Sequence, residues 1–207
     1  MGNDARLLRD DRGMGRAGRK PLVIADYDAS WPDRFSAIGS ALRGALGDAV
    51  LRIDHIGSTA VAGLPAKDLI DVQVTVRDLV GADAWAEELL PGLVRRQEVT
   101  ADHVPPGATA DPREWTKLYW SDRWTLHVHV REQGRLNQRY PLLFRDYLRA
   151  DSVAAEAYAQ VKRALAIAAP DDWDTYYAVK DPVCDVIIAA AEHWAVRVGW
   201  TPPDSDA

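Results

Sequence analysis

The stretch Asp54-His55-Ile56-Gly57-Ser58-Thr59-Ala60-Val61-Ala62-Gly63-Leu64-Pro65-Ala66-Lys67-Asp68-Leu69-Ile70-Asp71 holds the densest set of residues able to do chemistry. A strand ending in Gly57-Ser58 lets backbone N–H groups approach an anion closely, and Ser58 adds a hydroxyl that can donate to phosphate or ligate a metal. A short helix starting after Ser58 would add its first amides to the same anion. Asp71 falls on the next predicted strand, where a carboxylate facing the same cleft could hold Mg²⁺ against that phosphate. Lys67 suits a mobile point charge opposite phosphate. By spacing alone, the same residues also describe an ordinary Gly-Ser turn followed by a strand-end aspartate.

A second group is Leu126-His127-Val128-His129-Val130. Strand side chains alternate, so both imidazoles share one face, where they can bind a metal, contact phosphate or carry protons. With Asp71 on a neighbouring strand, a mixed Asp71/His127/His129 metal site is geometrically possible; the plainer reading is a half-exposed strand whose polar face carries histidines. In Phe144-Arg145-Asp146-Tyr147-Leu148-Arg149, the two arginines are i,i+4 neighbours, and Arg145 suits bidentate phosphate or carboxylate binding or simply a solvated face. Tyr158 with Lys162, and Tyr177 with Lys180, could line a pocket or pack at the surface. Trp115, Trp120 and Trp124 cluster at a predicted hairpin, where packing is the commoner role than base stacking. An exposed Trp-rich hairpin would support a homodimer.

The elements that must position these residues follow from periodicity. Leu22–Ile24 reads as a short strand. A helix starts at Ser30-Trp31-Pro32, shows Phe35, Ile38, Leu42 and Leu46 at helical spacing, and ends at Gly47. Strands are expected over Val50–Ile56 and Asp68–Val76, then a helix over Asp83–Leu90 ended by Pro91-Gly92. Residues 98–114 read as a long loop. Strands over Thr116–Trp120 and Trp124–Val130 flank Ser121-Asp122-Arg123. Helices follow over Leu142–Leu148, over Ser152–Ala168 capped by Ser152, and over Asp174–Val198 with Pro182 kinking or dividing it. This order predicts an α+β fold with a helical C-terminal layer.

At 207 residues the chain can bury a core as one domain, placed at 21–200. Residues 1–20, rich in Gly, Arg and Asp, are expected to form a disordered tail in which Met14 is an alternative start, and 201–207 a flexible C-terminus. A net charge of −6 argues against nucleic acid as partner. The single cysteine, Cys184, excludes an intramolecular disulfide and a cysteine-rich zinc site, and reads as a core residue. No apolar run reaches the roughly 18 residues of a membrane span, and no secretion signal is visible, so a cytoplasmic protein without a membrane partner is expected.

These motifs together resemble the GrpB family, from about Val23 to Val183. The resemblance rests on Tyr27-Asp28 with Trp31, on His55–Val61 with Gly63-Leu64, Ala66-Lys67 and Ile70-Asp71, on Leu126-His127-Val128, and on Phe144–Arg149. It implies a nucleotidyltransferase-like mixed β-sheet packed with helices. In that superfamily a Gly-Ser turn precedes a strand bearing two alternate acids that bind divalent metal beneath a nucleoside triphosphate. Gly57-Ser58 matches the turn and Asp71 the first acid; Gln73 stands at the second, and His129 where a third might be expected. A neutral amide and an imidazole do not hold two Mg²⁺ ions as carboxylates do. Asp68 stands where the family commonly has proline.

The resemblance thus implies Asp71, His127 and His129 as catalytic and metal-binding residues, with a divalent ion, Mg²⁺, as cofactor. Substrate contacts fall to His55, Gly57, Ser58, Thr59, Lys67, Gln73, Arg145, Tyr158, Lys162 and Lys180. The expected activity is a metal-assisted transferase acting on a nucleotide or small phosphorylated molecule. Alternatives are amide or ester formation without nucleoside triphosphate, or a non-catalytic module binding nucleotides or coenzyme A-related ligands, since relatives occur fused to dephospho-coenzyme A kinase.

Overall fold

The computed structural model describes residues 21–207, so the expectations for residues 1–20 lie outside the described residues. Helix α1 (Trp31–Leu46) carries Pro32 in its first turn, where a missing N–H costs nothing, and buries Trp31, Phe35 and Leu42 along one stripe. Strand β1 (Val50–Ile56) runs into a single 3₁₀ turn, Ser58–Ala60, before β2 (Ile70–Val76) returns antiparallel to it. After α2 (Leu79–Asp83) come β3 (Glu88–Leu90), β4 (Leu93–Arg95), β5 (Leu118–Ser121) and β6 (Leu126–Glu132). Helices α3 (Leu136–Ala150), α4 (Ser152–Ala168) and α5 (Trp173–Val198) complete the chain.

The six strands form one sheet in the order β1-β2-β6-β5-β4-β3, with only β2 and β6 parallel. The expected α+β mixed sheet with a helical C-terminal layer is what the chain forms. Val72 and Val74 of β2 and Val128 and Val130 of β6 alternate onto one face and pack with Trp31, Phe35 and Leu42 of α1. Each such side chain removed from water contributes about 1.5–3 kcal/mol. A second core lies among α3, α4 and α5, where Leu143, Tyr158, Ile188 and Ala191 meet Val61 and Leu64 from the β1–β2 connection. That connection therefore spans both cores, which is what fixes the Gly57-Ser58 turn.

Several expectations are corrected. Leu22–Ile24 forms no strand, because its neighbour is the α4–α5 connection: Leu22 N donates to Pro170 O at 2.7 Å, and only Ala25 bridges to Ala66. The helix expected over Asp83–Leu90 does not form: α2, capped by Asp78 accepting from Gly81 N at 2.9 Å, ends at Asp83, and Glu88–Leu90 are β3. Pro91-Gly92, with Gly92 at φ 79°, is then a hairpin turn between β3 and β4 rather than a helix stop. The α3 helix extends upstream of Leu142 through Pro141, and α5 passes unbroken through Pro182. Asp151, not Ser152, caps α4 by accepting from Ala154 N. The terminal residues lie along β1: Ala207 N donates to Ile53 O, Ile53 N to Ser205 Oγ, and His55 N to an Asp206 carboxylate oxygen. Trp115 and Trp120 of the hairpin cluster are buried, and Trp124 is exposed.

Candidate functional site

Strand register builds the site. Asp71 pairs with His127, Gln73 with His129 and Thr75 with Arg131, so alternation lays these six side chains on the sheet face opposite α1. Asp71 Oδ1 stands 3.4 Å from His127 Nδ1 and 3.6 Å from His129 Nε2, and one ligand atom from each residue lies within 4.8 Å of the others. Burial would raise the Asp71 pKa, but hydrogen bonding and charge from both histidines win and hold it well below the usual carboxylate range. Gly57 makes the approach possible. Its φ of 72° and ψ of −172° suit glycine, and a Cβ there would lie 3.1 Å from Asp71 Cβ and overlap the carboxylate.

Behind His129 lies a network that periodicity does not reveal. His129 Nδ1 is 3.2 Å from Lys117 Nζ and 3.3 Å from Arg131 Nη2. Charged lysine and arginine only donate, so Nδ1 is the acceptor and the ring proton sits on Nε2, facing Asp71. Asp102, from the long loop, binds Lys117 Nζ at 3.0 Å and both Arg131 Nε and Nη2 at 2.8 Å. Burial would raise the Asp102 pKa; the Arg131 and Lys117 charges overcome it and lower it strongly. Gln73, at the second acid position, accepts from Arg131 Nη1 at 2.8 Å and donates to Gln138 O at 2.9 Å. A guanidinium thus occupies the neighbourhood where a second acid would need a metal.

This arrangement tests the expected ion. One carboxylate and two imidazoles fit Mg²⁺ poorly and suit a borderline ion such as Mn²⁺ or Zn²⁺. A metal-bound imidazole normally donates its other N–H to an acceptor, whereas the other nitrogen of His129 faces two donors. Asp71 with His127 is the better-fitting part of the set.

The opposite end of the site is rich in lysine. Lys162 Nζ, reaching across from α4, donates to Ser58 Oγ at 3.0 Å and to Pro65 O at 2.5 Å, and stands 4.5 Å from the Tyr158 ring centroid. Burial, reinforced by the nearby Lys180 charge, lowers its pKa to about 7. Lys67 Nζ donates to Tyr177 Oη at 3.2 Å and lies over the Trp173 ring. Lys180 approaches Cys184 Sγ and the Asp181 carboxylate, both at 3.6 Å.

Gly57, Ser58, Thr59, Lys67 and Asp71 line one cavity of about 300 Å³, and His127, His129, Tyr158, Lys162 and Lys180 line it with them. Three residues expected at the substrate do not. His55 stacks on Phe35 at 4.7 Å between ring centroids, with Nε2 3.0 Å from Thr59 Oγ1, and burial lowers its pKa to about 4. Gln73 is fully buried in the Arg131 network. Arg145 is 1% exposed and clamps structure, donating to His55 O at 2.9 Å and pairing with Asp206 and Asp146. Asp102, Arg131 and Asn137 line the cavity unforeseen. Of these, Arg131 continues the alternation of His127 and His129 and was readable; Asp102 lies in a loop without period. Asn137 donates through Nδ2 to Asp102 and Thr116 O, while its buried Oδ1 has no partner among the described residues. Cys184, expected in a core, is half-buried, packed against the α3–α5 core and lining the cavity.

The family described as GrpB protein matches residues 21–190. A dephospho-CoA kinase of Mycolicibacterium paratuberculosis is 38% identical over 200 residues, covering 89% of this chain and 49% of that protein. This chain thus spans about half the length of the curated relatives of that name. A UPF0157 protein of Streptomyces coelicolor is 33% identical over 168 residues, covering 81% of each. The crystal structure of GrpB from Enterococcus faecalis superposes with a TM-score of 0.65 at 27% identity, over 83% of this chain and 99% of that one. The match of the family along most of the chain, together with that shared nucleotidyltransferase-like fold, makes this protein a member of the GrpB family.

Proposed function

We propose that the cavity binds a nucleotide or a related small phosphorylated molecule and transfers a group on it. The observation that carries this reading is the polarity of one cavity: Ser58, Lys67, Lys162 and Lys180 at one end, Asp71 with His127 and His129 at the other. Phosphate placed at that end meets the Lys67 and Lys180 charges and the Ser58 hydroxyl. The His127 imidazole, steered by Asp71, can move a proton at the reacting group. A divalent ion held by Asp71 and His127 would polarise a ligand oxygen. The free Asn137 Oδ1 offers an acceptor to a ligand N–H or O–H. Relatives named dephospho-CoA kinase favour an adenine nucleotide or coenzyme A-type ligand, although this chain matches only 49% of such a protein.

The test is thermal melting of the protein with nucleoside triphosphates, coenzyme A precursors and Mg²⁺, Mn²⁺ or Zn²⁺, beside Asp71→Asn. A ligand that binds only the folded state raises the melting temperature with its affinity. The expected result is a shift with a phosphorylated ligand, enlarged by Mn²⁺ or Zn²⁺ more than by Mg²⁺, with the metal increment lost in Asp71→Asn. No shift with any phosphorylated ligand would overturn the reading. Arg131 beside Gln73 favours a second reading, binding without turnover; a shift with no product formed under any metal would support it.

A further inference from the structure

Of the three lysines that line the cavity, Lys162 is the buried one, whereas Lys67 and Lys180 are half-buried. Lys180 pairs with Asp181, while among the described residues Lys162 makes no ion pair with a carboxylate. It is 2% exposed, and its Nζ meets two oxygens, Ser58 Oγ and Pro65 O, and the face of Tyr158. Taking an ammonium out of water without a counter-charge favours the free amine, and the Lys180 and Lys67 charges push the same way. A neutral amine that donates to Pro65 O keeps a lone pair, and the 3.0 Å contact to Ser58 Oγ lets that pair accept the hydroxyl proton. Ser58 itself lines the cavity at the Gly57 turn, and rings of Tyr140, Phe144 and Tyr176 line the same cavity and offer apolar surface.

We propose that Ser58 and Lys162 form a nucleophile–base pair that accepts an acyl group from an ester or thioester. Ser58 Oγ forms a bond to the carbonyl carbon while its proton passes to Lys162 Nζ. The carbonyl oxygen takes the electron pair, in a cavity whose Lys67 and Lys180 carry positive charge. Collapse breaks the bond from carbon to the leaving oxygen or sulfur, which receives the proton from Lys162. Water, or an acceptor alcohol or amine, then attacks the acyl-Ser58 ester; Lys162 takes its proton and returns it to Ser58 Oγ. No oxidation occurs. The step uses neither Asp71 nor a divalent ion, so it stands or falls apart from the transferase reading.

The experiment treats the full chain, with a chelator present, with a fluorophosphonate probe and separately with p-nitrophenyl butyrate. Adducts are located by peptide mass mapping, and rates are followed from about pH 6 to 8. The expected result is a single adduct on Ser58 and a burst of nitrophenolate. The rate should rise with pH through about 7 as Lys162 loses its proton. Lys162→Arg, which keeps the charge and removes the base, should label at least ~100-fold more slowly, the low end of what a positioned general base contributes. Ser58→Ala should lose the adduct. Melting curves establish that both variants fold; where Lys162→Arg does not, the pH profile of the unaltered chain decides. An adduct on Lys162 or elsewhere, a rate flat across that pH range, or equal labelling of folded Lys162→Arg would overturn the proposal.

Discussion

Gly57 and Asp71 are a matched pair: with the backbone at φ 72°, ψ −172°, the carboxylate fills the space a Cβ at Gly57 would occupy. Gly57→Ala should therefore cost about 2 kcal/mol or more, from backbone strain and the displaced carboxylate. Chemical denaturation reads that loss, and calorimetric titration should show weakened Mn²⁺ or Zn²⁺ binding. Gln73→Glu restores the second acid in name only. It replaces the donor to Gln138 O by a carboxylate oxygen facing that carbonyl, in a fully buried place, while Arg131 stays. The expected outcome is a destabilisation of about 1–3 kcal/mol with no second metal equivalent in a titration; two equivalents would contradict the Arg131 account. Asp71, His127 and His129 were readable in the sequence because each lies on a strand whose apolar residues alternate with it. Asp102 and Asn137 were not: each reaches the site through tertiary folding of a segment whose side chains follow no period pointing there.

Elements explain why Arg145, a plausible phosphate ligand on paper, became a clamp. It sits on the buried face of α3 and reaches β1, an edge strand, where His55 O and the Asp206 carboxylate receive it. The 205–207 segment then covers the exposed edge of β1, a place where unpaired backbone groups invite association. Arg145→Met breaks this clamp and leaves the strand and tail groups unmatched; stability should fall by about 3 kcal/mol or more by denaturant titration. Hydrogen exchange of the His55 amide should quicken in the same variant, and unchanged exchange there would sink the clamp. At this scale α1, β1, β2, β6, α4 and α5 were legible from apolar period. The β3–β4 hairpin was not, because three-residue strands carry no period and Pro91-Gly92 serves helix ends and turns alike.

Across the whole molecule, the cavity opens where the sheet's polar face meets the α3–α5 core, so ionisable groups are buried between two apolar masses. Three kinds of shift then act on stability in one direction. Asp71 and Asp102 are held below their ordinary range, so their contribution is lost as acid protonates them. His55, lowered from 6.5 to about 4, is charged first in the unfolded chain, so stability falls as pH drops through that window. Lys162, lowered from 10.5 to about 7, is protonated first in the unfolded chain throughout the range between those values. Its effect on stability is absent above 10.5 and grows as pH falls toward 7, so stability rises with pH across that window. Lys162→Met removes only this last contribution. The stability of the unaltered chain relative to Lys162→Met should therefore climb with pH from about 7 to 10, by up to about 1.4 kcal/mol per unit, the slope of one proton. Urea titrations at three pH values measure it. A difference independent of pH would mean that Lys162 stays charged in the fold, and the same result would remove the free amine that Ser58 needs as its base.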